Sequence, residues 1–131
     1  AVMNKTPDRR FRVAITRMGQ SKGIGIEEYT DEEHPKILYI ASLYLPDATN
    51  KQTFLYVCYH ILSHINLDQT ALVRIYDRTL FAVRREWFDL FPQLIFQRYK
   101  SRGDGSFEDC YMLAIDALER KSNITEKLGG C

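Results

Sequence analysis

The order of the predicted elements constrains the fold of this chain more than any single motif does. Apolar patterning predicts three consecutive strands, over residues 10–16, from Ile24 onward and over residues 37–45. Helices are then predicted over residues 51–65, from Asp77 or Thr79 to Trp87, and over 107–121. They alternate with strands predicted over residues 72–76 and 94–99. Consecutive strands can pair as an antiparallel meander, whereas strands that follow helices join in parallel through crossovers. The sequence therefore predicts an α/β fold in which helices flank a mixed five-stranded sheet.

Polar and glycine-containing segments separate these elements. Residues 19–23 predict a hairpin turn rather than a phosphate-binding loop, because no helix follows them. The acidic segment 27–33 is expected to be a solvated loop or strand end, and Asn50 to cap the first helix. Residues 101–106 and the tail after Lys121 are expected to be loose.

Length and composition exclude several classes of protein. The 131 residues suit one domain, with a core over about residues 10–121. A net charge of +1 gives no overall attraction to nucleic acid or membrane, so such binding would require a local patch. Three cysteines are too few for a disulfide framework, which favours a reducing compartment such as the cytoplasm. No signal peptide or membrane-spanning run is visible, so no membrane partner is expected.

Three short patterns carry a resemblance to a known family. Thr49-Asn50-Lys51-Gln52 opens the first helix, and Ile75-Tyr76-Asp77-Arg78 ends the fourth strand. The last strand is followed by a glycine-containing loop and then by Glu108-Asp109-Cys110-Tyr111. In this order the patterns resemble the ribonuclease H-like family over about residues 10–121. The resemblance implies one ribonuclease H-like domain across residues 1–131.

The resemblance also implies an active site that this chain has largely lost. The family holds two magnesium ions with carboxylates from the first strand, the first helix, the fourth strand and the last helix. Here Arg17, Phe54 and Tyr111 occupy three of these positions, and Asp77 alone keeps an acid. Segments 11–26 and 51–65 contain no Asp or Glu, so shifting the alignment by two residues either way brings no carboxylate to the first-strand or first-helix position. We therefore expect a vestigial site in which these four residues lie together, without catalysis, bound metal or other cofactor.

Basic residues recur around the groove that follows the nucleic-acid backbone in the family. They are Arg17, Lys22, Lys51, Arg78, Arg98, Lys100 and Arg102. Phosphate contacts of this kind give affinity without catalysis, although solvated charges balanced by nearby acids explain the pattern equally well. The leading hypothesis is a non-catalytic module, such as a viral or mobile-element protein, that binds nucleic acid or a nucleic-acid-processing complex.

Two other functions remain open from the sequence. Tyr56 and Tyr59 face away from the apolar stripe of the first helix, and they predict a protein-interaction or homodimer surface. A metal-dependent nuclease with a displaced site would instead use Asp77 with Glu108 or Asp109.

Two further clusters favour structural roles. His60 and His64 have zinc-ligand spacing, but without an evident third ligand they are interpreted as half-exposed histidines. Cys58 is predicted to be a core thiol, and the aromatic segment 87–91 to pack in the core or cover the sheet edge.

Overall fold

The computed structural model describes residues 6–31, 33–76, 84–99 and 107–128. Its strands and helices are β1 (Arg9–Met18), β2 (Ser21–Tyr29), β3 (Ile37–Leu45), α1 (Asn50–Leu62), β4 (Ala71–Tyr76), β5 (Leu94–Tyr99), α2 (Glu108–Arg120) and β6 (Ile124–Lys127). A short 3-10 helix, Arg85–Asp89, precedes β5.

One mixed sheet organises the domain, with strand order β5-β4-β1-β2-β3-β6. Strands β1, β2 and β3 form the antiparallel meander, and β4 and β5 add in parallel beside β1. This confirms the predicted ribonuclease H-like fold class. The five-stranded prediction and the loose tail are corrected, because β6 pairs antiparallel with the outer edge of β3.

Helix α1 covers one face of the sheet, called here the α1 face. Odd-numbered residues of β1 point to this face and pack with α1 side chains in the larger core cluster; the main contributors are Phe11, Val13, Ile15, Phe54, Val57, Cys58 and Ile61. Burial raises the pKa of the Cys58 thiol to about 12, which confirms its prediction as a core thiol. Thr49, not Asn50, caps α1, because its hydroxyl accepts from Gln52 N at 3.1 Å in a capping box.

Helix α2 covers the opposite face, called here the α2 face. Its backbone lies directly on β2, because β2 presents Gly23 and Gly25 to it. A Cβ atom at Gly25 would lie 1.9 Å from the Cys110 carbonyl oxygen, and one at Gly23 would lie 2.0 Å from that of Ala114. These glycines therefore set the depth at which α2 packs. Gly19 has a different role, since its φ of +63° forms the predicted hairpin turn.

The acidic residues of β2 correct the expectation of a solvated segment. Glu27 and Glu28 are buried within the strand. On the α2 face Glu27 Oε1 lies 3.5 Å from Arg12 Nε, and on the α1 face Glu28 forms a two-point ion pair with Arg9. Burial raises the pKa of Glu27, whereas the Arg12 charge acts in the opposite direction.

The helix predicted to end at Trp87 is corrected in part. Residues 77–83 lie outside the described ranges, so its first half is not described. From Arg85 to Asp89 the backbone is a 3-10 helix. Trp87 and Phe88 pack from it against the α1-face core, as their aromatic character predicts.

Candidate functional site

The candidate site lies at one end of the sheet, called here the carboxyl edge. Parallel strands β1, β4 and β5 finish there at Met18, Tyr76 and Tyr99. Helix α1 begins at the same edge. The segment just before the helix is tied to β2 there, because the Lys22 ammonium donates a 2.7 Å hydrogen bond to the Ala48 carbonyl. The ends of several elements therefore lie at this edge.

Exposed cations surround the α1 side of the carboxyl edge. Strand alternation places Arg17 on the same face as Ile15, and Arg98 on the same face as Phe96. Lys51 lies in the first turn of α1. All three cationic side chains are exposed. The structure therefore brings these three predicted residues to one side of the molecule from three separate elements.

Lys22 does not join this group of exposed cations. Its side chain is 3% exposed, and its ammonium is bound to the Ala48 carbonyl. Burial lowers the pKa of Lys22, and the nearby Arg17 charge lowers it further. The prediction that Lys22 contacts phosphate is thus corrected: Lys22 anchors the segment that leads into α1. The predicted residues Asp77, Arg78, Lys100 and Arg102 lie outside the described part of the chain.

Phe54 belongs to an aromatic cluster beneath the α1 face rather than to a polar site. It is 1% exposed, and its ring centroid lies 5.7 Å from that of Trp87 and 5.3 Å from that of Phe96. Tyr111 instead packs edge-on against Tyr76 in the α2-face cluster, at 5.9 Å. Phe54 and Tyr111, which the resemblance places in one site, thus belong to separate core clusters, because α1 and α2 pack on opposite faces of the sheet.

The described positions that match the family's acids supply no carboxylate. They hold an exposed cation at Arg17, a buried hydrocarbon ring at Phe54 and a phenol at Tyr111. Across residues 6–31, 33–76, 84–99 and 107–128, no three His, Cys, Asp or Glu side chains are grouped as a metal site. The Arg17 guanidinium attracts anions at its position, whereas Phe54 and Tyr111 place aromatic rings at theirs.

An aromatic groove opens on the α1 face beside β5. Arg85, Phe88, Phe96 and Arg98 line this cavity, which has a volume of about 390 Å³. The rings of Phe88 and Phe96 stack with centroids 4.7 Å apart and planes at 18°. The Arg98 guanidinium carbon lies 5.9 Å from the Phe88 centroid. This groove was not predicted from the sequence, although Arg and Phe recur three apart in the 3-10 helix and two apart in β5.

Tyr56 and Tyr59 have different neighbours. Tyr56 is half-buried, and its hydroxyl accepts a long 3.5 Å hydrogen bond from Asn123 Nδ2. Tyr59 is 60% exposed and packs edge-on against Phe91 at 5.4 Å. Of the predicted interaction surface, Tyr59 is therefore the accessible part.

His60 and His64 form a cluster at the opposite end of the sheet. Tyr39 Oη lies 2.8 Å from His60 Nε2, and the Tyr39 and His64 rings are 4.3 Å apart. Burial lowers the pKa of both histidines. They are half-buried and packed on Tyr39, so the predicted structural role fits their surroundings better than a zinc site does.

Comparisons with known proteins support the fold. No protein-family model and no curated protein sequence matches this chain. Among solved structures, the chain is similar to that of prototype foamy virus protease-reverse transcriptase, with a TM-score of 0.51 and 13% identity. The likeness covers 86% of this chain and 21% of the viral chain, so this chain spans about a fifth of that protein's length. At this identity the likeness shows a shared fold, in agreement with the ribonuclease H-like order of the strands.

Membrane insertion through a helix has no support in the described residues. None of their helices combines the length and the apolar character that crossing a bilayer requires.

Proposed function

We propose that this chain is a non-catalytic ribonuclease H-like module that binds the backbone of a nucleic acid at the carboxyl edge. The observation that carries the proposal is that Arg17, Lys51 and Arg98 are all exposed on the α1 side of that edge, each from a different element. Cations spaced along a surface neutralise successive phosphates and release their counterions. The affinity is therefore expected to depend strongly on salt and little on base sequence.

Local charge supports this proposal despite the net charge of +1. Two acidic residues are already engaged with cations away from this edge: Glu27 with Arg12, and Glu28 with Arg9. Because each of these negative charges is offset by its arginine partner, it reduces the positive potential at the carboxyl edge only slightly.

The absence of carboxylates at three described positions supports binding without cleavage. Two-metal hydrolysis needs anionic ligands at the point where Arg17 places a positive charge. The viral origin of the similar structure favours a viral or mobile-element source for this chain, where such a module would hold nucleic acid or dock onto a complex that processes it.

Removing two edge cations tests the proposal. Arg17→Gln with Lys51→Gln should weaken binding of unrelated single strands by about tenfold or more at low salt, or about 1.4 kcal/mol. Because two phosphate contacts are lost, the slope of log affinity against log salt should fall by about 1.4 for a single strand. Fluorescence anisotropy with labelled oligonucleotides at several salt concentrations measures both quantities.

A matched control removes the same charge from the opposite end of the sheet. Lys36 and Lys127 are exposed there, and Lys36→Gln with Lys127→Gln should leave the affinity and the salt slope nearly unchanged. All four side chains are exposed, so neither double variant should change the free energy of unfolding by more than about 1 kcal/mol. Equal losses of affinity in both double variants would mean that only net charge matters, and the proposed site would be wrong.

A further inference from the structure

We infer that the aromatic groove of Arg85, Phe88, Phe96 and Arg98 receives an unpaired base, so that the carboxyl edge selects single-stranded nucleic acid over duplex. The inference deepens the proposed function and rests on it for the phosphate contacts. It adds the kind of nucleic acid that is bound and the part of the protein that recognises it.

The geometry of the two rings suits a flat ligand. Phe88 and Phe96 stack on each other, with ring centroids 4.7 Å apart and planes at 18°, so a base would lie against the outer face of one ring and not between the two. Both side chains are half-buried and line the cavity. The cavity of about 390 Å³ lies within the range of small-ligand pockets, which is about 300–1,000 Å³. A base within a duplex has both faces covered by its neighbours, whereas an unstacked base offers a free face to an aromatic ring.

The groove is held rigid from below. Phe54 is buried beneath it, with its ring centroid 5.3 Å from that of Phe96 and 6.1 Å from that of Phe88. The backbone of Phe96 is fixed in β5, which pairs with β4 from Ala71 to Tyr76. Since the rings are ordered before binding, stacking a base costs little protein entropy.

The charge of the groove also matches a nucleotide. Arg85 and Arg98 are exposed on its rim, and the Arg98 guanidinium lies beside the Phe88 ring. Guanidinium groups bind phosphate with two parallel hydrogen bonds and stack on planar rings. An aromatic floor with a cationic rim therefore provides contacts for the base and for its phosphate.

The groove lies on the α1 side of the sheet, as do the cations of the proposed function. Arg98 pairs with Ile75, and Ile75 pairs with Val13, so Arg98 lies level with Val13 across the sheet. Arg17 is four residues further along β1, which places it about 13 Å beyond this level. A strand whose base enters the groove can therefore run along the α1 side toward Arg17 and Lys51.

Three ligands separate base recognition from phosphate attraction: two single strands of equal length, and a duplex that carries the same total number of phosphates as each of them. They are a labelled oligothymidylate, an abasic deoxyribose-phosphate oligomer and a blunt duplex. Wild-type protein should bind oligothymidylate about tenfold more tightly than the abasic oligomer, since stacking of one base is worth about 5- to 150-fold. The duplex should bind no more tightly than the abasic oligomer. Trp87, the one tryptophan of the chain, should change its fluorescence with oligothymidylate alone, because it adjoins the groove through Phe54.

Two variants assign the preference to the groove. Phe88→Leu keeps an apolar side chain but removes the ring, so it should abolish the preference for oligothymidylate while leaving abasic affinity within about twofold. Arg85→Gln changes an exposed rim residue, so it tests the groove without disturbing the core. It should reduce oligothymidylate affinity several-fold.

The outcomes distinguish this inference from the proposed function. Equal binding of oligothymidylate and the abasic oligomer would overturn the inference and leave backbone binding intact. Tighter binding of polyglutamate than of either oligomer would overturn it in favour of an acidic peptide. No affinity for any of the three nucleic-acid ligands at low salt would overturn the proposed function itself.

Discussion

Replacing Gly25 with alanine is expected to destabilise the domain by about 3 kcal/mol or more, among the larger effects of overpacking. The added Cβ would lie 1.9 Å from the Cys110 carbonyl oxygen and 3.0 Å from Leu113 Cβ. These atoms belong to helix α2, so the clash is relieved only if the helix moves away from β2. Such movement also lengthens the 3.0 Å hydrogen bond from Cys110 Sγ to the Gly25 carbonyl. Urea denaturation of wild type and variant measures the difference.

Gly19 provides the control for this experiment. Among the described residues, chain neighbours aside, no heavy atom lies within 4 Å of a Cβ placed there, so Gly19→Ala adds only the strain of its φ of +63°. That strain should cost about 1–2 kcal/mol. If Gly25→Ala is no more destabilising than Gly19→Ala, then α2 does not rest on β2 as described.

The second large effect concerns the buried pair of Arg12 and Glu27. Their side chains are 11% and 5% exposed, and the Arg12 guanidinium also lies over the Tyr29 ring at 4.6 Å. Arg12→Met leaves the Glu27 carboxylate buried without a countercharge, which typically costs about 3–5 kcal/mol. Glu27→Gln removes the charge that burial disfavours, and Arg12 keeps its contact with Tyr29. This variant should cost only about 1–2 kcal/mol.

The dependence on pH identifies the cause of the Arg12→Met effect. Burial already raises the pKa of Glu27, and loss of Arg12 removes the main influence that lowers it. The folded variant then binds a proton more tightly than the unfolded chain does. Its stability relative to Glu27→Gln should therefore fall as pH rises above the ordinary glutamate value of about 4.3. Equal stability of Arg12→Met and wild type at pH 7 would contradict the ion pair.

Elements with strong local patterns were predictable from the sequence. The third strand has the predicted bounds of 37–45, because a short segment that is apolar on both faces is typical of a strand covered on both sides. The alternation of β1 and the helical spacing of α1 likewise specify which side chains form the α1-face core. Their order then gives the meander and the parallel crossovers, hence the fold class.

Features that depend on distant partners were not predictable. Glu27 and Glu28 look solvated in sequence, yet each is buried because an arginine on the neighbouring strand meets it. Strand β6 consists of four exposed residues and exists because the edge of β3 offers backbone partners. Lys22 looks like a surface cation, and only the path of the chain before α1 places the Ala48 carbonyl beside it.

The candidate site was predictable in part for the same reasons. Element order and the family resemblance together placed Arg17, Lys51 and Arg98 near the ends of elements, and all three are exposed there. Their contact with nucleic acid stays a prediction. The groove needs the 3-10 helix to fold back over β5, and no local pattern specifies that approach of Phe88 to Phe96. The family alignment placed Phe54 beside Tyr111, but helices on opposite faces of the sheet separate their rings.

The central claim is that the carboxyl edge binds nucleic acid without cleaving it. The most direct measurement incubates end-labelled oligonucleotide with wild-type protein and magnesium at low salt. One half of the sample is analysed for complex on a native gel and the other half for strand length on a denaturing gel. A retarded complex whose strand is intact is the expected result. Shortened strands that require magnesium, or the absence of any complex, would contradict it.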